Sequence, residues 1–328
     1  GTSWGVKVQS QGRERGFQSF AFHPQFAQTG TPGFGKFYTW TDTENLEATP
    51  DFRPGGGKHT HHTVLLEWTA RNPGAPVYDG AAPRELLRVE QPAANQRGGP
   101  IAFNPLAAPG DPDYGLLYVG LADGVDGDES LGNAQDRASA FGKILRIDPL
   151  GRNARNGRYG IPPANPFAAD PDTTTLGEIY AYGIRDVRHF TWDRPTGRMI
   201  VTDVGQNTIE ELDVVTAGAN LGWNVWEGSF RHARGGVDLA DPRSAPGITY
   251  PFAEYDRTDA LLTPQSAITG LAVYRSTDIA QLQNTLLFGD LPSGEMFGIP
   301  ADDLPDGGQS ALHRVLLEQG GEARTLLD

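Results

Sequence analysis

The sequence predicts an all-β protein, built from four-stranded antiparallel sheets arranged as a β-propeller. Short runs of strand-forming residues recur between turn residues, and the 328-residue chain contains 42 Gly and 25 Pro, which favour turns over long helices. No long amphipathic helix separates the runs, which argues against a parallel sheet of βαβ units. The runs also fall into sets of four, at a repeat length typical of propeller blades.

The first eight predicted strands form two of these sets, and a shorter run at 5–9 precedes them. Each strand is short and is bounded by residues such as Gly, Pro, Asp or Asn, which is the pattern of strands joined by turns. The first set is Phe17–Phe22, Lys36–Thr41, Thr63–Thr69 and Glu85–Glu90, and the second is Ile101–Phe103, Gly115–Leu121, Lys143–Ile147 and Glu178–Tyr182.

The next two sets follow the same pattern further along the chain. Loose repeats support this grouping, because FQSFAFHPQF, GGPIAFNPLA and VRHFTWDRPTG share one plan, in which a strand ends at Phe or Trp before a polar turn. The alternative is a β-sandwich in which this similarity is accidental. The third set is His189–Trp192, Met199–Asp203, Glu210–Val215 and Trp223–Trp226, and the fourth is Ile268–Tyr274, Thr285–Phe288, Glu295–Ile299 and His313–Glu318.

The charge of the chain limits its partners. Lys and Arg number 27 against 41 Asp and Glu, so the net charge is -14. A negative field of this size repels phosphate backbones and anionic lipid, which argues against nucleic acid and membrane surfaces as partners. No apolar run approaches 18 residues, so no membrane insertion is expected. The absence of Cys excludes disulfides and thiolate sites, and it suits a periplasmic or extracellular protein.

Several motifs carry a resemblance to a known family. In chain order they are GFQSFAFHPQF, YVGLADG, AQDRASAFGKILRIDP, EIYAYGIRDVRHFTWD, TDVGQNTIEELDVV and NLGWNVWEG, and the likeness runs from about Gly16 to Ile299. They resemble the glucose/sorbosone dehydrogenase family, the soluble quinoproteins of the aldose sugar dehydrogenase type. The resemblance implies a six-bladed propeller that uses pyrroloquinoline quinone (PQQ) and Ca²⁺ to oxidise the anomeric carbon of aldoses to lactones. It also implies export to the periplasm or the cell exterior.

Residues 1–328 are predicted to form a single propeller domain. About four blades are visible in the sequence, fewer than the six that the resemblance implies. Either the chain is trimmed at one or both ends, or its closing blade is abbreviated.

The catalytic base is the first point of difference from the family. Oxidation at an anomeric carbon needs a base, a hydride-accepting cofactor and a cation that polarises the cofactor. The resemblance implies a His two residues before Gly98 as the base, and this chain has Gln96 there. An amide has no usable basicity near neutral pH. Gln96 therefore indicates altered or lost activity, or a segment that only connects two blades.

Asp123 follows a predicted strand, at a position where propeller loops converge. The resemblance implies that this carboxylate orients the base. Without a His partner, Asp123 could itself act as the base or as a cation ligand. The alternative is structural, because Asp before Gly124 commonly starts a turn.

Arg185 and Asp186 match the family's Arg-Asn pair that meets the quinone, which makes Arg185 both a catalytic and a cofactor-binding candidate. Bidentate Arg suits the carboxylates of PQQ, whereas Asp186 adds charge of the wrong sign unless Arg188 offsets it. The alternative is a surface ion pair. Two further family cations are missing, because Pro292 stands where a Lys is expected and no Arg-x-Arg pair occurs in 301–328.

The turn after the third set's second strand is the predicted calcium site. Calcium takes six to eight oxygen ligands, backbone carbonyls among them. The resemblance implies that the carbonyls of Gly205 and Gln206 hold the Ca²⁺, and the carboxylates of Asp203 and Glu210 lie nearby in sequence. These four residues are the predicted metal ligands, with Gly205 and Gln206 also counted as cofactor-binding.

Two other groups of polar residues invite a metal interpretation. The acidic loop Asp126–Glu129 fails the EF-hand spacing because Leu131 stands where Gly is needed, so a solvated loop is the alternative. His59 and His61 alternate before a strand and could chelate a transition metal. The alternative for His59, His61 and His62 is an exposed loop that precedes the strand.

These observations leave three hypotheses for function. The first is a PQQ- and Ca²⁺-dependent sugar oxidoreductase of altered chemistry. The second is a cofactor-free propeller that acts as a Ca²⁺-dependent lactonase through Asp123, Asp203 and Glu210, or as a binding module. The third is a pure interaction domain. The expected ligand is a small molecule of the sugar class.

Overall fold

The computed structural model describes residues 4–12, 14–56, 61–93, 98–124, 132–233, 235–240, 242–257, 267–305 and 308–326. These residues form β-strands joined by turns, with a short 3-10 helix at Ala280–Leu282. Contacts divide the chain into two compact units, residues 1–182 and 183–328. Across the described ranges, no helix has the length and apolar character needed to cross a membrane.

The first unit contains two four-stranded antiparallel sheets, in which the strands follow one another in chain order. This up-and-down order is that of a propeller blade. The predicted strands are present with ends moved by a few residues, but the run at 5–9 is reduced to a single bridge between Val8 and Thr43. The strands are β1 (Phe17–Phe22), β2 (Lys36–Thr43), β3 (His61–Thr69), β4 (Arg84–Gln91), β5 (Ile101–Phe103), β6 (Leu117–Leu121), β7 (Lys143–Ile147) and β8 (Ile179–Tyr182).

Residues of both sheets share the hydrophobic core of the first unit. Trp40 and Leu65 from the first sheet join Leu117 and Leu145 from the second, and all four are fully buried. Burying a side chain of this size contributes about 1.5–3 kcal/mol. All five residues of β6 are buried, so the core fixes the end of that strand, where Asp123 follows.

The second unit contains two more four-stranded antiparallel sheets, together with a three-stranded sheet and a hairpin. Its strands are β9 (Val187–Trp192), β10 (Met199–Asp203), β11 (Ile209–Val215), β12 (Trp226–Glu227), β13 (Phe230–Ala233), β14 (Gly236–Asp238), β15 (Ala253–Asp256), β16 (Ile268–Tyr274), β17 (Thr285–Asp290), β18 (Met296–Pro300), β19 (His313–Val315), β20 (Leu317–Gln319) and β21 (Glu322–Arg324).

The third set of strands departs from the prediction. Its fourth strand is β15, which pairs with β11, and not the run Trp223–Trp226. That run is mostly a turn, because Val225 and Trp226 both donate their backbone N–H to the carbonyl of Gly222. The chain leaves the sheet after β11, builds the small sheet β12–β14 and returns as β15.

The fourth set has one smaller difference. The predicted strand His313–Glu318 breaks at Leu316, so that β19 pairs with β18 whereas β20 pairs with β21.

The core of this unit includes Ile200, Leu212 and Phe288. In the described part of the chain, four four-stranded sheets match the four blades that are visible in sequence, and the total of six blades stays a prediction.

Candidate functional site

The turn between β10 and β11 brings six of the predicted site residues together. Asp203 ends β10, Gly205 and Gln206 lie in the turn, and Glu210 lies in β11. The remaining two, Arg185 and Asp186, come directly before β9. Because β9 pairs antiparallel with β10, the start of β9 lies beside the end of β10. We call residues 203–210 the calcium-type turn.

Asp203 fastens the 183–186 loop to the sheet. Its buried carboxylate accepts hydrogen bonds from the backbone N–H groups of Arg185 and Asp186. Burial raises the pKa of Asp203 to about 7, while the two N–H donors favour its charged form. Both oxygens of this predicted metal ligand are therefore engaged by the backbone.

Arg185 is held in one orientation by the same turn. Its Nε donates to Gln206 Oε1 at 2.7 Å, and its Nη1 donates to the carbonyl of Val204 at 2.8 Å. Its guanidinium also lies 5.8 Å from the centre of the Trp223 ring, a cation–π contact. These bonds occupy the Nε and Nη1 groups of Arg185, two of the guanidinium donors that could otherwise bind a carboxylate ligand.

Asp186 is buried and forms an ion pair with Arg188, whose Nη2 lies 2.8 Å from Asp186 Oδ2. The compensation that the sequence suggested is therefore present. The alternative, a surface ion pair, does not describe Asp186, since just 1% of its side chain is exposed.

Glu210 connects three parts of the second unit. Its Oε2 accepts the backbone N–H of Ile268 at 3.2 Å and that of Gly205 at 3.4 Å. Its Oε1 lies 3.4 Å from Nη2 of Arg257. Burial raises the pKa of Glu210, and the Ile268 N–H and the Arg257 guanidinium oppose that rise. Sequence reasoning missed Arg257, which lies 47 residues from Glu210.

Gly205 has no room for a side chain. A Cβ at this position would lie 1.6 Å from the carbonyl oxygen of Ile209. The tight approach is held by Glu227, a second residue that sequence reasoning missed. Glu227 Oε1 accepts the backbone N–H groups of Asn207, Thr208 and Ile209. The motif NLGWNVWEG contained this residue, but nothing in its spacing indicated the partner.

These contacts do not fit a calcium ion at the calcium-type turn. Asp203 and Glu210 already accept bonds at both of their oxygens, and the carbonyl of Gly205 lies 3.4 Å from Nη2 of Arg257. In the part of the chain that the structure describes, no group of three or more His, Asp or Glu is arranged to hold a metal. Calcium at this turn stays a prediction.

A cluster of carboxylates lies beside the turn in the same sheet. Glu211 faces Asp203 on β10 and Glu254 on β15, and Asp213 follows on the same side of β11. Burial raises the pKa values of Glu211 and Asp213 well above their ordinary range, with the neighbouring carboxylates adding to the effect. Arg243 is the cation that opposes this rise at Asp213 and Glu254.

In the first unit, Asp123 is buried and its backbone carbonyl accepts a hydrogen bond from Asn133 Nδ2. Lys143, fully buried in β7, donates from Nζ to three backbone carbonyls of the 133–141 segment. Burial lowers the pKa of Lys143 to about 7, and the carboxylates of Asp136 and Asp123 counteract that shift. Lys143 thus fastens the loop that follows Asp123, a role that the sequence did not reveal.

Several predicted residues lie outside the described ranges, namely Gln96, His59 and the acidic loop Asp126–Glu129. The exposed-loop interpretation of His61 and His62 is wrong. Both residues are buried in β3, where His61 Nε2 lies 3.6 Å from Asp42 and His62 Nδ1 lies 3.0 Å from Arg88. The strand begins two residues earlier than predicted because these side chains find polar partners inside the first sheet.

The four-stranded antiparallel sheets described here have the strand order of β-propeller blades. The glucose/sorbosone dehydrogenase family profile matches residues 5–321, and the chain belongs to this family.

Curated relatives include the HIPL1 protein of Arabidopsis thaliana, which is 30% identical over 85% of this chain and 43% of its own length. The human Hedgehog-interacting protein is 28% identical over 56% of this chain and 23% of its own length. The chain thus spans less than half the length of these relatives.

Solved structures show the same fold. The PQQ-bound aldose sugar dehydrogenase of Streptomyces coelicolor has a TM-score of 0.60 and 22% identity, with 93% of this chain and 69% of that chain covered. The apo form of the soluble aldose sugar dehydrogenase of Escherichia coli has a TM-score of 0.64 and 18% identity, with 94% and 75% covered.

Proposed function

We propose that this chain binds an aldose sugar without oxidising it, as a binding module of the glucose/sorbosone dehydrogenase family. The observation that carries the proposal is Gln96, which occupies the position where the family resemblance implies the catalytic His. A carboxamide cannot accept the hydroxyl proton near neutral pH. The protein therefore keeps the scaffold of a sugar-binding enzyme and lacks its base.

The contacts of the calcium-type turn support the same conclusion. Two predicted ligands of the cation that would polarise a quinone, the carboxylates of Asp203 and Glu210, already accept hydrogen bonds from N–H groups. Arg185 already donates to Gln206 and Val204. Since the residues fit neither Ca²⁺ nor the carboxylates of PQQ in this arrangement, no catalytic step is assigned to either group.

Other hypotheses have less support. A lactonase would use Asp203 and Glu210 as cation ligands, and the backbone N–H groups on their oxygens speak against that role. The name of the human Hedgehog-interacting protein describes a protein that interacts with another protein, which supports a binding role within this family. Export to the periplasm or the cell exterior stays a prediction that rests on the resemblance.

Calorimetric titration with a panel of aldoses tests the binding half of the proposal. Saturable binding of at least one aldose is expected, and it should persist in Gln96→Asn, a matched amide control. A dye-linked oxidation assay with added PQQ and Ca²⁺ tests the other half, and no turnover is expected from the unmodified chain. Sugar oxidation by that chain would indicate a different base, Asp123 being the candidate, and would contradict the proposal.

Gln96→His separates the loss of a base from the loss of the whole catalytic site. A general base typically contributes about 10²–10⁴-fold to the rate. We expect no oxidation by Gln96→His, because the calcium-type turn is already occupied by protein donors. A rise in turnover of about 10²–10⁴-fold would show that the remaining dehydrogenase site is intact, and the binding-module proposal would then be wrong.

A further inference from the structure

Arg257 lies at the place where the family resemblance implies a metal ion. It comes directly after β15, and its backbone N–H donates to the carbonyl of Thr208 at 3.2 Å. This bond ties Arg257 to the calcium-type turn. Its side-chain Nη2 lies 3.4 Å from both the Gly205 carbonyl oxygen and Glu210 Oε1.

We propose that the guanidinium of Arg257 replaces a metal ion at the calcium-type turn, so that this turn carries its own cation and binds no Ca²⁺. The inference does not depend on whether the chain oxidises sugars. It concerns only which cation, Arg257 or Ca²⁺, interacts with the Gly205 carbonyl and the Glu210 carboxylate.

Two physical arguments support the replacement. A Ca²⁺ ion bound to the Gly205 carbonyl would lie about 2.3–2.6 Å from that oxygen, and the guanidinium lies within 3.4 Å of the same atom. The two cations would repel each other at close range in a partly buried site. In addition, Glu210 is fully buried, and a buried carboxylate requires a compensating charge and hydrogen bonds. Arg257 supplies that charge, while Ile268 and Gly205 supply N–H donors.

Calcium-dependent thermal unfolding of the full chain and of Arg257 variants tests the proposal. The melting temperature of the unmodified chain should be the same in chelator and in millimolar CaCl₂. Arg257→Gln should melt at a lower temperature in chelator and regain stability with CaCl₂, with calcium affinity at least tenfold above that of the unmodified chain. Arg257→Lys retains a positive charge and should remain insensitive to calcium.

Arg188→Gln is the matched control, because it removes an Arg whose ion pair is with the neighbouring Asp186. It should lower the melting temperature without creating a response to calcium. The control thus separates the loss of any ion pair from the loss of this particular cation.

Two results would overturn the proposal. One is saturable calcium binding, with a rise in melting temperature, by the unmodified chain. The other is a folded Arg257→Gln variant that gains no affinity for calcium. If Arg257→Gln does not fold in chelator, refolding in CaCl₂ supports the proposal, and failure to refold in CaCl₂ while Arg257→Lys folds contradicts it.

Discussion

Replacing Asp213 with Asn should stabilise the protein at pH 8 and do so much less near pH 4.5. Asp213 is fully buried in β11, and within the described residues neither of its carboxylate oxygens has a hydrogen-bond partner. Burial raises its pKa well above the ordinary 3.8, and the charges of Asp203 and Glu254 add to the rise. Its ionised form is therefore unfavourable in the folded protein.

The direction of the pH dependence follows from proton linkage. An unfolded Asp loses its proton near pH 3.8, whereas folded Asp213 keeps its proton to a higher pH. Between these two values the folded state binds more protons, so the free energy of unfolding decreases as the pH rises. The contribution of Asp213 to the free energy of unfolding is fully present below about pH 4. It is lost as the pH rises through the pKa of Asp213 in the folded protein. Asn cannot ionise, so the advantage of the variant should grow over this range.

The size of the effect can be bounded from the burial. Leaving a buried polar group unsatisfied costs about 1–3 kcal/mol, and more for a charged group. We therefore expect Asp213→Asn to be about 1–3 kcal/mol more stable than the unmodified chain at pH 8. This corresponds to roughly 2–4 °C in melting temperature per kcal/mol for a domain of about 150–250 residues. Arg243 loses one compensating charge, which reduces the gain, but it retains its bonds to Ser229 and Pro251.

Differential scanning calorimetry at pH 4.5, 6 and 8 measures this prediction. Asp303→Asn serves as the control, because Asp303 is exposed, and it should change the melting temperature little at any pH. The reasoning is refuted if Asp213→Asn is less stable than the unmodified chain at pH 8. It is equally refuted if the gain is the same at pH 4.5 and pH 8, since burial of charge would then not be the cause.

Two further substitutions test the supports of the site. Gly205→Ala should destabilise the protein by about 1–3 kcal/mol or more, because its Cβ would lie 1.6 Å from the Ile209 carbonyl oxygen. Thermal unfolding measures the loss, with Gly55→Ala as the control because Gly55 has open space around it. Equal melting temperatures of the two variants would show that the turn relaxes freely. Lys143→Met should cost about 3 kcal/mol or more, since three buried carbonyls lose their donor. Denaturant unfolding against Lys7→Met measures this loss, and a cost below about 1 kcal/mol would contradict the fastening role of Lys143.

The sequence alone determined most of the strands. A strand such as Lys143–Ile147 is specified by consecutive strand-forming residues with turn residues at either end, and that pattern is local. The strand β15 was missed for the opposite reason. Its four residues, Ala253–Asp256, carry little pattern of their own, and they become a strand only because β11 offers a free edge after a long excursion of the chain.

The same division applies to the candidate site. Asp203, Gly205, Gln206 and Glu210 lie within eight consecutive positions, so their proximity could be predicted from the motif. Arg257 and Ile268 reach Glu210 from 47 and 58 residues away, so only the packing of the second unit reveals them. The charged side chains that contact the turn are decided by strand register and burial. These are properties of the folded chain that no short run of residues encodes.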